Sequence, residues 1–280
     1  MGPLLILPAM FFILAFLIWP LIYTLYCSFF KLDYLQNGGF VGFNNYLKIL
    51  KDSQVFASFR VTFIVTVAST LISMLLGLIL ALWIEKRHGM TAFTIELVGL
   101  LPWVISMMVG SMLWRWILNG DTSLFNFLLR SLNMEPILLF NNKDSAVATL
   151  IWVMAWRTIG YSMVMILAGL KSLPADYIEA AKVDGANAWN ILLRIKIPLI
   201  KTPLLISAIV LTMSNFNNNT VPMVLTTGGP SNATNVITLY LYKLSFTYYR
   251  FGTSSALSTL LFAINAVMII LYIRMVKYDI

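Results

Sequence analysis

The side chains able to do chemistry in this chain point away from hydrolysis and redox work. Among 280 residues there is one histidine, His88, and one cysteine, Cys27, so neither a zinc-type cluster nor an internal disulfide can be assembled. Cys27 sits in an apolar run and reads as a small filler, while His88 follows Glu85, Lys86 and Arg87 and reads as a solvated loop residue. No G-x-x-x-x-G-K-S/T phosphate loop occurs, so the chain is not expected to hydrolyse ATP itself. What remains is a set of amides and aromatics embedded in apolar sequence. Asn215, Asn217, Asn218 and Asn219 carry both donors and acceptors, and Trp103, Trp156 and Tyr161 carry flat apolar faces. Together they suit a ligand with hydroxyl edges and apolar ring faces, as a sugar has. Two plainer roles fit the same residues, because tryptophans collect at membrane interfaces and asparagines bind helices to one another. Arg157 is the one charge well inside an apolar stretch; it can snorkel, bond helix carbonyls or face a cavity.

These residues need a scaffold that tolerates little charge. Hydrophobic residues make up 60% of the chain and charged ones 11%, against about a quarter charged in soluble domains. Lipid is the solvent that fits. The formal net charge of +8 comes with no basic run or aromatic-basic platform for nucleic acid, and is assigned to anionic lipid and cytoplasmic loops. A charge at the bilayer centre is costly, so charge-free stretches mark the spans. They are residues 3–30, 61–84, 97–114, 145–170 (broken by Arg157), 202–242 (polar after Met213) and 251–273. With about 20 apolar residues needed per crossing, the chain is predicted to be an all-α, polytopic membrane protein of six helices, one domain over residues 1–280. The first stretch is too long for a signal h-region of about 7–15 residues and lacks a basic start, which makes it a retained anchor. Six crossings put both termini on one side. Nine lysines and arginines then fall on each side, so the positive-inside rule does not choose between them.

Between the fourth and fifth spans lies a hydrophilic island, residues 173–203. Pro174 opens it, Asp176 lies in its first turn, and Ile178, Ala180, Ala181 and Val183 give a short helix a narrow apolar face. Gly185 permits a turn that other residues resist. A second short helix follows with Trp189, Leu192, Leu193 and Ile195 on its apolar side, and Pro198 ends the unit. Two short helices joined at a glycine make a knob suited to a groove on a soluble partner. The pattern Glu179-Ala180-Ala181, three residues, Gly185, nine residues, Ile195, one residue, Ile197-Pro198 resembles the EAA loop of binding-protein-dependent ABC importer permeases. Ile197 stands where that family usually has leucine. The resemblance implies that residues 172–203 form a cytoplasmic coupling loop and that Glu179, Ala180, Ala181, Asp184 and Gly185 meet a cytoplasmic ATPase. It also implies that both termini are cytoplasmic.

A second resemblance concerns the cargo. Asn215-Phe216-Asn217-Asn218, then Leu225-Thr226-Thr227-Gly228-Gly229-Pro230, then Phe251-Gly252 with Ser255-Ala256-Leu257 look like the maltose-type carbohydrate permeases. Agreement is weaker around Leu101-Pro102, and the long first extracytoplasmic loop of some relatives is absent. The resemblance implies a sugar permease of the bacterial inner membrane, with substrate contacts at Trp103, Gly160, Tyr161, Asn215 and Asn218. It further implies a second, different permease chain, two ATPase subunits carrying ATP and Mg²⁺, an extracytoplasmic sugar-binding protein, surrounding membrane lipid, and no cofactor on this chain. Depth agrees: Asn215 lies twelve residues beyond Pro203, roughly 18 Å into a hydrocarbon layer of about 30 Å. Competing assignments are a permease for a non-sugar solute such as a glycerol-phosphate compound, and an ion-coupled secondary transporter. The latter usually needs carboxylates inside the membrane, whereas all 11 acids here lie in loops or near span ends. A polytopic enzyme would want a His, Cys or carboxylate constellation, and none is visible.

Overall fold

A computed structural model describes residues 2–34, 36–87 and 89–277; His88, expected in a solvated loop, falls outside them. In chain order the elements are α1 (Gly2–Ile13), a π turn (Leu14–Ile18), α2 (Trp19–Cys27), the antiparallel hairpin β1 (Phe30–Asp33) and β2 (Gln36–Phe40), α3 (Asn44–Lys51) and α4 (Ser53–Glu85). Then come α5 (Gly89–Val104), α6 (Met107–Leu118), α7 (Leu124–Ser131), α8 (Lys143–Lys171), α9 (Ala175–Val183) and α10 (Ala188–Ile191). A second π turn (Leu192–Lys196) leads to α11 (Ile197–Leu199), α12 (Lys201–Phe216), α13 (Thr220–Leu225), α14 (Ile237–Phe246) and α15 (Phe251–Lys277). Leu7–Cys27, Ser53–Glu85, Lys143–Lys171 and Phe251–Met275 are each long and apolar enough to cross a membrane, and the number rises to as many as six where each of two bent pairs is one span. The chain is the all-α polytopic protein that its composition predicts, with one small hairpin added.

The bent pairs depart from the sequence expectation. Residues 97–114 do not form one straight helix; α5 and α6 meet at 95°. Pro102 offers no N–H to the preceding turn, and at Ser106 the backbone turns extended (φ −50°, ψ 132°). Residues 202–242 likewise divide into α12, α13 and α14. Pro198 does not end the coupling unit, because the chain runs helically through it and bends 70° at Ile200 instead. Both π turns end two residues before a proline, Pro20 in one case and Pro198 in the other. A widened turn is one way for a helix to absorb a proline's missing donor and bulky ring.

The chain gathers into two compact units, residues 1–59 with 237–271, and residues 60–236 with 272–280. In the first, the Asn45 amide donates to the carbonyls of Ser28 (2.8 Å) and Phe30 (2.9 Å), tying α3 to the hairpin, and Cys27 is a buried free thiol, as expected of a filler. In the second, α8 packs through Met163, Ile166, Leu167 and Leu170 against Ala81 and Ile84 of α4 and against Ile200. A polar seam runs beside that core: the hydroxyls of Ser73 and Thr158 lie 2.7 Å apart, and Ser73 reaches the carbonyl of Ala155 at 3.1 Å. Paired hydroxyls satisfy one another where no water is available, so they hold α4 to α8 at little cost.

Candidate functional site

Helix α8 sets the depth of the first cluster. Arg157 stands fourteen residues from both Lys143 and Lys171, about 21 Å from either end at 1.5 Å per residue. Tyr161 lies one turn further along the same face. Trp103 of α5 meets both, with its ring centroid 4.8 Å from that of Tyr161 and the Arg157 guanidinium 5.0 Å above its ring. A backbone crossing one turn away brings α5 there. A Cβ on Gly160 would fall 2.1 Å from the Gly99 carbonyl oxygen, so only glycine lets the two helices touch at this point. The structure thus places Gly160, expected among the substrate contacts, buried inside the crossing that positions Trp103 against Tyr161. Trp156 meets Trp114 edge-on at 5.5 Å.

The asparagines hold the break after α12. Asn215 is 3% exposed, and its amide donates to the Thr70 hydroxyl of α4 at 3.1 Å. Asn218 is buried, and its side-chain carbonyl accepts from the Val221 N–H in the first turn of α13 at 3.0 Å. Asn217 donates back to the Met213 carbonyl at 2.9 Å, and the Asn219 side-chain carbonyl accepts from the Thr220 hydroxyl at 3.3 Å. Short polar side chains that offer the backbone alternative partners are what stop a helix here. Sequence reasoning missed the hydroxyl face of α4 that supplies Thr70 to Asn215. Thr62, Thr66, Ser69, Thr70 and Ser73 are all buried along α4, and their spacing of three and four was the available signal of a helix face turned inward. Arg115 donates to the Val224 carbonyl at 2.9 Å and borders a cavity of about 460 Å³ with Trp116, Asn119 and Met223.

The coupling segment folds as two short helices around Gly185, which takes φ +80°. The Ala186 N–H bonds the Ala181 carbonyl at 2.9 Å, closing α9 with a left-handed residue. The Asn187 side chain then caps α10 by accepting from the Asn190 N–H at 2.8 Å. Of the residues expected to meet an ATPase, Glu179, Ala180, Asp184 and Gly185 are exposed and Ala181 is buried. Of the apolar residues in the two helices, Val183 (87% exposed) and Trp189 (65% exposed) point outward. The knob is anchored by Lys196 in the second π turn, whose ammonium bonds both Glu85 oxygens at 2.7 and 2.6 Å, with the two side chains 14% and 18% exposed. Beside this pair a groove of about 630 Å³ runs between Leu82 of α4 with Lys86 just beyond it and Ile178, Trp189 and Leu192 of the knob.

Known proteins resemble this chain along its length. The trehalose/maltose transport system permease protein MalF of Thermococcus litoralis is 30% identical over 99% of this chain and 94% of its own length. The osmoprotective compounds uptake permease protein GgtC of Synechocystis sp. is 32% identical over 96% of each chain, and the sulfoquinovosyl glycerol transport system permease protein SmoG of Agrobacterium fabrum is 28% identical over 98% of this chain and 89% of its own. Among solved structures, a chain of a bacterial ABC transporter involved in the import of the acidic polysaccharide alginate superposes with a TM-score of 0.86 at 20% identity, covering 98% of this chain and 94% of that one, which shows a common fold. Residues 3–277 match throughout, and the chain belongs to the family of binding-protein-dependent transport system inner membrane components.

Proposed function

We propose that this chain is the sugar-conducting permease subunit of an ATP-driven importer, receiving its cargo from an extracytoplasmic binding protein. The observation that carries the proposal is membership of the family over residues 3–277, joined to 30% identity along nearly the whole chain with a trehalose/maltose permease. Trp103 and Tyr161 stack on the sugar's apolar faces, Asn215 and Asn218 take its hydroxyls, and Gly160 positions the aromatic pair from behind. The knob of residues 172–203 faces the cytoplasm, as do both termini. Glu179, Ala180, Asp184 and Gly185 contact the cleft of an ATPase, and Ala181 seats the helix that presents them. Two ATPase subunits carry ATP and Mg²⁺, a second and different permease completes the pathway, and this chain needs no cofactor of its own. When the ATPases close, the knob is pushed as a rigid body. Its displacement reaches α4 through the Glu85–Lys196 ion pair and α12 through the bend at Ile200.

The test is purification of the whole complex followed by a screen of sugars for stimulated ATP hydrolysis. A saccharide should raise hydrolysis, and the double variant Glu179→Gln, Gly185→Val should lose that stimulation. Labelling of a Trp189→Cys variant from the outer face of the cell would place the knob beyond the reach of any ATPase and overturn the proposal.

A further inference from the structure

Among the described residues, no ion pair balances the charge of Arg157. It sits at the midpoint of α8, and snorkelling serves arginines near helix ends, not at mid-depth. Among the described residues no carboxylate pairs with it, and the apolar stretches of the neighbouring spans contain no acid at all. Its Nε is buried without a hydrogen-bond partner among those residues. The guanidinium lies over the Trp103 ring, its carbon 5.0 Å from the ring centroid, a contact that engages the charge without consuming an N–H donor. An intramembrane charge without an internal partner is costly to retain unless a ligand uses it. The same Trp103 ring touches Tyr161, so the charge stands beside the aromatic surface assigned above to the sugar.

We infer that Arg157 is the counter-charge for an acidic substituent on the cargo, and that the transported saccharide is anionic, bearing a carboxylate or sulfonate. This rests on the sugar-permease assignment. A carboxylate or sulfonate presents paired oxygens to the edge of the guanidinium, the geometry in which arginine binds most strongly and with most direction. Trp103 holds the guanidinium plane in place, and the adjoining Tyr161 ring receives the sugar.

The experiment uses the complete importer, with its permease partner, ATPases and binding protein, reconstituted in proteoliposomes. Uptake is measured for glucose, maltose and maltotriose, for glucuronate and galacturonate with their di- and trisaccharides, and for 6-sulfo-6-deoxyglucose. The expected result is transport of at least one acidic saccharide, with its neutral counterpart poorly taken. Arg157→Gln should lower that uptake by at least about ten-fold, the factor attached to one hydrogen bond to a charged group, and Arg157→Lys by less. Wild-type uptake confined to neutral sugars, or equal uptake of both classes that Arg157→Gln leaves untouched, overturns this inference alone. Failure of Arg157→Gln to assemble with the second permease means that a partner carboxylate neutralises the arginine, which also overturns it. Uptake of no saccharide at all overturns the sugar assignment too, and so the two failures are distinguishable. Because the wild-type panel by itself decides the class of cargo, a variant that failed to fold would not remove the test.

Discussion

Replacing Gly160 with alanine should damage the protein through packing before it touches chemistry. The added Cβ would lie 2.1 Å from the Gly99 oxygen and 2.9 Å from its carbonyl carbon. Both are backbone atoms, so no rotamer change can relieve the clash. To restore an ordinary contact of 3.4 Å, α5 and α8 must separate by about 1.3 Å. Overpacking of this kind costs about 1–3 kcal/mol, which for a chain of this size lowers Tm by roughly 2–12 °C. The shift also carries Trp103, one turn along α5, away from Tyr161, so sugar uptake should fall with stability. Gly110→Ala is the matched control. Its Cβ meets only side chains at ordinary distances, the Trp156 ring at 3.6 Å and Ile105 at 3.9 Å, and alanine favours a helix interior over glycine by roughly 0.5–1 kcal/mol, so this variant should be neutral or slightly stabilising. Thermal unfolding of the detergent-purified complex, followed by tryptophan fluorescence, measures both. A Gly160→Ala protein as stable as wild type, or a Gly110→Ala protein equally damaged, would refute the close crossing.

Three further outcomes follow from the geometry. Glu85→Gln should strand the Lys196 ammonium in a site only 14% exposed and lower the sugar transported per ATP hydrolysed; the double exchange Glu85→Lys, Lys196→Glu should recover much of it, while equal loss in both would remove the pair from the coupling route. Gly185→Val places a β-branched residue at φ +80°, where the left-handed backbone costs about 1–2 kcal/mol. Co-purification of the ATPases should weaken, Gly185→Asn should be milder, and equal effects of Val and Asn would exclude backbone strain as the cause. In α14, which belongs to none of the spans, burial and then the hydrogen bond to Asp52 raise the Tyr240 hydroxyl above the usual tyrosine range. Folding then favours the protonated phenol, so its contribution is complete below about pH 10, the unfolded value, and is lost as pH climbs beyond that toward the higher folded value. Stability in denaturant titrations should fall above that pH in wild type and less steeply in Tyr240→Phe; identical slopes would contradict the Asp52 contact.

Features written at one scale were legible in the sequence, and those that depend on two segments were not. Apolar length alone placed α4, α8 and α15, since a long uncharged run has few other fates in lipid. Gly185 was legible because a glycine between two short helical patterns has a local conformational reason to be there. The 95° break between α5 and α6 was hidden, because residues 97–114 are apolar throughout and composition does not report direction. Asn215 and Asn218 were visible as polar side chains at depth. Their bonds to Thr70 and to the Val221 N–H needed the fold, since nothing in residues 215–219 names a partner 145 positions away.

Two faces of α8 divide the work, and Gly160 stands at the edge of one of them. Ala155, Thr158 and Ser162 are buried toward α4, where the hydroxyl seam joins Ser73 and where Gly77 leaves room for Ser162. Arg157 and Tyr161, spaced one turn apart, turn toward Trp103 of α5. Gly160 lies next to the second face in sequence and touches α5 itself, so it shares the neighbourhood of Arg157 and Tyr161 without sharing their partial exposure. Substitutions at residues 155, 158 and 162 should therefore lower stability for every cargo alike, whereas those at 157 and 161 should change which cargo is accepted. Gly160 alone among them should do both, because the distance it sets between backbones also sets the distance between the rings.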